Sequence, residues 1–509
     1  MQCHGRRMTI RFALLALPLL AAAAPAPRDA RLRAIVAPVS AARLRADVAR
    51  LVAFGTRHTL SSQTDPARGI GAALSWGESE FRRMGAACGG CLVTARPTTS
   101  VQGTRVPVPT PLTDVVAVQR GTERPNDVVI ISGHIDSRVS DVMNAAADAP
   151  GANDDGSGSA AVLEAARVLS KHKFPGTIVY ALLSGEEQGL YGGKLLADYA
   201  KAQGWNVVAN LNNDIVGNSC GADGLCDSAH VRVFSEGPRW QGGDLLRAQT
   251  RSQGGENDAP SRNISRFLDT LADRLAIGLD VRQVWRNDRF GRGGDHTELL
   301  NAGYPAVRLS VAVENYDWQH QDVRVEQGHA YGDTIDHMDF AYLAKIVKLN
   351  AAALAALASA PPPPEPEVEG AVSTDTTLKW NGVSGAAGYV VRWRRTDSAA
   401  WQQSLRLPQG AAGTVLRHVR VDDWVFGVSS VETGSEKRWV PDQVRDDKHL
   451  DLQCHANPPP ACPPPSRSSN SSSSPACPPA SARSRGRSGC TATTRSCSRH
   501  CSRTWLTRG

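Results

Sequence analysis

The chain has 509 residues, a net charge of +7, 41% hydrophobic residues and 21% charged ones. That length and apolar content predict two or three domains with a sizeable core and exclude a wholly disordered chain. Eight arginines and no acid or lysine fall in 452–509, which leaves the first 451 residues at −1, so the basic balance gives the rest of the chain no reason to bind nucleic acid.

Residues 1–26 read as a signal peptide. Arg6, Arg7 and Arg11 precede the apolar run Phe12–Leu20, and small residues follow at Ala21–Ala24. The run is too short for a comfortable membrane anchor, and no later stretch reads as a span, so no stable membrane insertion is expected. Export to the periplasm or the outside implies an oxidising compartment. Of eleven cysteines, six lie in the last sixty residues. CGGC at Cys88 and Cys91, and the close pair Cys220 and Cys226, are expected to form two local disulfides.

Residues 31–95 show helical spacing in RLRAIVAPVSAARLRADVARLVAF and GIGAALSWGESEFRRMG. The polar loop between them carries His58, read as a loop or substrate-side histidine. From 112 to 310 the pattern alternates. DVVAVQ, DVVIISG, TIVYALLS, NVVANLNN, VRVFS and YPAVRLS read as strands, and SAAVLEAARVLSK, LYGGKLLADYAKAQ, ISRFLDTLADRLA and HTELLNA as helices. The fold class is therefore α/β, a mostly parallel mixed sheet flanked by helices, spanning 31–358 and closed by a helix over Phe340–Leu357. A proline-rich linker covers 359–367. Short alternating strands at 368–440, with Trp380, Tyr389, Trp393 and Trp424 as core aromatics, predict a small β-sandwich of the fibronectin type III kind that lacks a proper last strand. Residues 441–509 are Pro, Ser, Arg and Cys with few large aliphatics. They predict disorder, and their composition matches what an out-of-frame translation yields.

Acids and imidazoles recur where these strands end. GHIDS carries His134 and Asp136, a spacing that suits a metal-ligating imidazole and the carboxylate that orients it. GANDDGSGSAA places Asp154 and Asp155 just before a helix. SGEEQGLYGG carries Glu186 and Glu187, expected at a strand end with their side chains on opposite sides, so that one binds metal while the other moves protons. NNDIVGN carries Asp214. GRGGDHTELL carries Arg292, Asp295 and His296, and ENYDWQHQDVR carries Tyr316 and His320. Oxygen and nitrogen donors without thiolate suit zinc in a hydrolytic site, and converging carboxylates need cations between them. Singly these are ordinary surface or turn residues. Their order and placement together carry the signal.

Those motifs, with GYPAVRL, GTRHTLSS and RGIGAALSW, closely resemble the M28 family of zinc aminopeptidases, especially exported bacterial members, over roughly residues 40–358. The resemblance implies a zinc-exopeptidase-like fold, two zinc ions and peptide substrates with a free N-terminus. Carried over by position, it implies His134 and Asp214 on one metal, Glu187 and His320 on the other, Asp154 bridging both, Glu186 as general base and Asp136 orienting His134. The ligand choice of His320 over His329, which precedes GDT, rests on the same alignment of motifs. Many relatives have Tyr just before the last ligand. Here Gln319 stands there, so Tyr316, Arg292 or a different donor is expected to serve the oxyanion. Two other readings keep some of these features: a zinc-dependent glutaminyl-peptide cyclotransferase on the same fold, and a non-catalytic metal-stabilised binding protein, which the retained Glu186 argues against. No pattern in the sequence sets an oligomeric state.

Overall fold

A computed structural model describes residues 27–238 and 254–432, so the signal-peptide and tail readings lie outside the described residues. Helices α1 (Pro27–Val36), α2 (Ala41–Val52) and α3 (Ile70–Ala87) open the chain. Ser40 caps α2 by accepting from the Arg43 N–H, and α2 buries Leu44, Val48 and Leu51 at helical spacing. Strand β1 (Leu92–Ala95) and the hairpin β2 (Thr98–Gly103)–β3 (Val106–Thr113) follow. The hairpin escaped the sequence reading because Pro107, Pro109 and Pro111 interrupt it. It pairs only with itself, where missing N–H donors are tolerated.

The central unit then alternates: β4 (Val115–Gln119), β5 (Arg124–His134), α4 (Gly156–Leu169), β6 (Gly176–Leu183), α5 (Glu186–Gly189), α6 (Tyr191–Ala202), β7 (Asn206–Asn213), β8 (His230–Ser235), α7 (Pro260–Leu275), β9 (Asp280–Val284), α8 (His296–Asn301) and β10 (Ala306–Val311). Eight strands form one sheet in the order β1-β4-β6-β5-β7-β10-β8-β9. Its centre, β6-β5-β7-β10, is parallel. β4 joins β6, and β8 joins β10, in antiparallel register.

The central strands are buried on both faces, which is why they read as continuous apolar runs. Val129 and Ile131 of β5 pack with α4 on one side. Val128 and Ile130 pack with Leu196 of α6 and Leu299 of α8 on the other. A small hairpin, β11 (Arg324–Glu326) and β12 (His329–Tyr331), precedes α9 (Phe340–Ser359). By length and composition α9 is apolar enough to cross a membrane, contrary to the sequence reading, but most of it is buried in the core of this domain.

Six further strands form the C-terminal sandwich: β13 (Pro366–Glu369), β14 (Thr376–Trp380), β15 (Ala386–Arg395), β16 (Gln403–Pro408), β17 (Gly413–Leu416) and β18 (Trp424–Glu432). They make the three-stranded sheets β13-β14-β17 and β16-β15-β18. Leu378, Trp380 and Leu416 of one sheet share a core with Tyr389, Val391 and Val428 of the other. The described residues all fall in one compact unit. Both expected disulfides, Cys88–Cys91 and Cys220–Cys226, are formed.

Candidate metal centre

β5 has β6 on one side and β7 on the other, so the chain passes from one flank of β5 to the opposite flank. Such a switch opens a crevice at the carboxyl ends of the strands. His134 is the last residue of β5, Asp214 follows β7 directly, and Asp154 and Asp155 immediately precede α4. Glu186 and Glu187 differ from the expectation. They lie not on a strand but in the first turn of α5, because Gly185 adopts a left-handed conformation that turns the chain straight out of β6. His320 sits in the loop after β10 with φ +58, a conformation that a β-carbon disfavours and that tends to mark functional loops.

Six donor atoms converge as two groups of three around one shared carboxylate. The Asp154 Oδ1 lies 3.2 Å from His134 Nε2, which is 3.8 Å from Asp214 Oδ1. The Asp154 Oδ2 lies 2.8 Å from His320 Nε2, which is 3.1 Å from Glu187 Oε1. His134 Nε2 and Glu187 Oε1 are buried without a hydrogen-bond partner despite these short distances. Buried polar atoms are ordinarily satisfied. Atoms this close that do not bond one another are aimed at a common point between them, which suits a cation. His134, Asp154 and Glu187 offer donors within 4.8 Å of one another, so the two groups adjoin, and His134, Glu186 and Asp214 do the same, so Glu186 borders the first group.

The surrounding shell holds these groups in place. The His134 Nδ1 faces the Asp136 carbonyl at 3.2 Å and the Asp136 Oδ1 at 3.4 Å. Both are acceptors, so Nδ1 carries a hydrogen, which leaves Nε2 as the nitrogen that a metal would take. The Asp136 Oδ2 in turn accepts from Thr59 Oγ1 at 3.0 Å and from the Glu187 N–H at 3.2 Å. Asp155 caps α4 at Gly158 N and also accepts from His134 N and Ile215 N, joining three strand and helix ends. The peptide between Asp154 and Asp155 is cis. Asp333 accepts from Asn153 N and, at 2.7 Å, from Asp154 N.

Three arginines that the sequence reading did not single out complete the shell. Arg57 is fully buried and donates to the carbonyls of Leu51, Ile135, Pro150 and Gly151, tying the Asp154 loop to the end of β5. Burial lowers its pKa to about 10, which still leaves it charged. Arg138 donates to Glu187 Oε2 at 2.9 Å, and its Nη2 lies 2.5 Å from His320 Nδ1. Arg308, on β10, is fully buried between Asp214 at 2.8 Å and Asp288 at 3.2 Å. The visible clue to Arg308 is a lone arginine inside the apolar run YPAVRL.

Burial pushes the His134 pKa down, but Asp136, Asp154 and Asp214 outweigh that and raise it well above its ordinary value. Burial, with Asp214 and Glu187 nearby, pushes the Glu186 carboxyl well up. The remaining candidates stand outside the two groups. His329 is exposed and paired with Asp317 at 3.1 Å, and His58 bonds the Val142 carbonyl from a buried position. His296 faces the Asn287 carbonyl, and Asp295 accepts from Gly193 N. Arg292 donates to Glu314 Oε2 at 3.1 Å, and Tyr316 is 62% exposed. Gln319 does reach the centre, with its Nε2 3.0 Å from Asp154 Oδ2.

Residues 114–354 match the model of peptidase family M28. A probable zinc metalloprotease of Leptosphaeria maculans is 42% identical over 418 residues, covering 81% of this chain and 96% of its own. The chain belongs to peptidase family M28. It is a zinc metallopeptidase, a hydrolase of peptides. A second probable zinc metalloprotease, from Pyrenophora teres, is 43% identical over 421 residues, covering 81% of this chain and 86% of its own. These relatives are fungal, whereas the motifs suggested bacterial kin. Both matches are long enough that they must run past the M28 segment into the β-sandwich. The LapA aminopeptidase of Legionella pneumophila is similar at 21% identity and a TM-score of 0.49, over 70% of this chain and 80% of that one.

Proposed function

We propose that this M28 peptidase is a two-zinc aminopeptidase. The observation that carries the reading is Asp154, whose two oxygens are divided between a His134/Asp214 group and a His320/Glu187 group. Both groups offer one imidazole and two carboxylates, a donor set that suits a catalytic zinc, and the unpartnered His134 Nε2 and Glu187 Oε1 fit it. When bound, two such ions would supply an activated water and polarise the scissile carbonyl.

The chain's own residues do the rest. Asp136 keeps the His134 hydrogen on Nδ1, so Nε2 is free to ligate. Glu186 is the general base. It takes the proton of the attacking water and passes it to the departing amine. Its neighbour Glu187 is held by Arg138 and is not free for that task. Acids beside the metal centre receive the α-ammonium of the substrate, which restricts cleavage to the first peptide bond. Gln319 is tied to Asp154, and Arg292 and Tyr316 remain candidate donors to the developing oxyanion. The signal-peptide pattern and two disulfides support export.

The test is metal analysis alongside turnover of aminoacyl-nitroanilides and their N-blocked forms. Wild-type protein is expected to hold two zinc ions and to cleave only the unblocked series. Glu186→Gln is expected to keep both ions and lose turnover by about 10²–10⁴-fold. His320→Ala is expected to fall towards one ion, with His329→Ala unchanged. Ammonia released from glutaminyl peptides, instead of free amino acids, would replace this reading with the cyclotransferase.

A further inference from the structure

Asp258 stands between two arginines from different parts of the molecule. Arg394 of β15 forks onto it, its Nη2 2.5 Å from Oδ1 and 2.7 Å from Oδ2, and Arg266 of α7 reaches Oδ1 at 3.1 Å. Arg394 is only 4% exposed, so this is not a screened surface pair. The Arg266 guanidinium also lies 5.1 Å from the centre of the Trp285 ring, as does that of Arg262, a cation–π distance.

Trp285 begins the segment 285–295, which leads to α8. The inner side of this segment is built into the metal centre. Asp288 is buried against Arg308, the Gly293 carbonyl accepts from Arg308 at 3.1 Å, and Arg308 grips Asp214. Arg289 and Arg292 hold Glu314, at the root of the loop that carries His320. Between those anchors Phe290 is 89% exposed at the tip. The segment is thus pinned inside by Asp288. Outside, it is pinned by Trp285 beneath Arg262, which donates to Asn257 Oδ1, and Arg266, which donates to Asp258 Oδ1, to Asn263 Oδ1 and to the Asn257 carbonyl.

We propose that Asp258, gripped by Arg394 of the β-sandwich, positions the 285–295 segment against the metal centre, so that the β-sandwich is a working part of the peptidase. Without Arg394, Arg266 becomes the main counter-charge of Asp258 and is drawn off the Trp285 face. Without the Asp258 carboxylate, two guanidiniums confront each other across the domain boundary. Either change releases the outer anchor and leaves the inner one intact. Substrate binding should then suffer while the metal ligands stay in place.

The substrate readout rests on the aminopeptidase proposal, so hydrogen exchange, which needs no turnover, is measured beside it. In full-length, zinc-loaded Arg394→Met and Asp258→Asn, amide exchange in 285–292 is expected to rise at least threefold while β5 and β7 are unchanged. KM for aminoacyl-nitroanilides is expected to rise about three- to tenfold, with kcat and zinc content within twofold of wild type. Arg394→Lys should restore part of the KM. Unchanged exchange in 285–292 in both variants overturns the proposal, as does faster exchange spread evenly over the chain. Loss of peptide turnover in the wild type would fail the aminopeptidase reading and leave the exchange result decisive.

Discussion

Asp47, on the inner side of α2, shares its neighbour Arg43 with Glu80: the guanidinium is 3.2 Å from Asp47 and 2.8 Å from Glu80. Burial, with Glu80 and Glu164 nearby, outweighs Arg43 and raises the Asp47 pKa to about 7. An acid whose folded pKa lies above its unfolded value of about 3.9 contributes stability that is fully present below that value and is lost as pH rises through the folded pKa. Three pH units of separation correspond to at most about 4 kcal/mol. Asp47→Asn removes that titration. Relative to wild type, it is expected to gain stability between pH 5 and pH 8 in urea unfolding. A variant that falls further behind at pH 8 than at pH 5 would show that Asp47 is stabilised as an anion. Residues of this kind separate what a sequence displays from what it hides. His134, Asp154, Glu187, Asp214 and His320 are legible because each follows a recognisable strand or turn. Arg57, Arg138 and Arg308 are not, because their partners lie far along the chain, 182 residues away for Arg138 and His320. Only Arg308 carries a mark of burial, its place inside the apolar run YPAVRL, and that mark names no partner.

At the scale of the element, the first turn of α4 decides whether the two carboxylates of Asp154 and Asp155 reach the sheet. A β-carbon on Gly158 would lie 2.2 Å from the Asn213 carbonyl oxygen, and one on Gly133 would lie 2.7 Å from the Gly158 carbonyl carbon. The glycines therefore let the helix start press against the ends of β5 and β7, where Asp214 emerges. Backbone atoms on both sides cannot yield as a flexible side chain would. Gly158→Ala is expected to cost about 1–3 kcal/mol in urea unfolding. It should also lower zinc content, because Asp154 moves away from Asp214 with the helix. Full zinc loading at unchanged stability would show that the contact is slack. The same local reasoning explains which elements sequence patterns reveal. β5 and β6 are buried on both faces and carry unbroken apolar runs, and β7 is as buried but is interrupted by asparagines. β9 is half polar, β3 is proline-broken and its partner β2 is mostly exposed, and β16 and β17 have mixed exposure, so none of them announces itself. The turn that moves Glu186 and Glu187 from a strand into α5 depends on one left-handed glycine, Gly185, which a periodicity argument does not weigh.

Taken as a whole, the molecule folds a large excess of negative charge into one crevice. Asp136, Asp154, Asp155, Glu187, Asp214, Asp295 and Asp333 are all buried there, against the buried Arg57 and Arg308 and the largely buried Arg138. Such a set repels itself unless protons or metal ions compensate. The unfolded chain has no such arrangement, so zinc binds the native state in preference and adds RT ln(1 + [Zn]/Kd) per site, about 2.7 kcal/mol at a hundredfold excess over Kd. Chelation is therefore expected to lower the thermal midpoint and, at neutral pH, to raise the number of protons bound by the native protein as carboxylates and imidazoles take them up in place of metal. Restoring zinc should reverse both effects. Because the His134/Asp214 group and the His320/Glu187 group share Asp154, the recovery on titration should require two equivalents of zinc, with the first altering the affinity for the second. Recovery complete at one equivalent would show that one group of three holds the only stabilising ion. A midpoint indifferent to chelation would mean that the acids of the crevice are neutralised by their own protons and arginines, and that the fold does not depend on the metal.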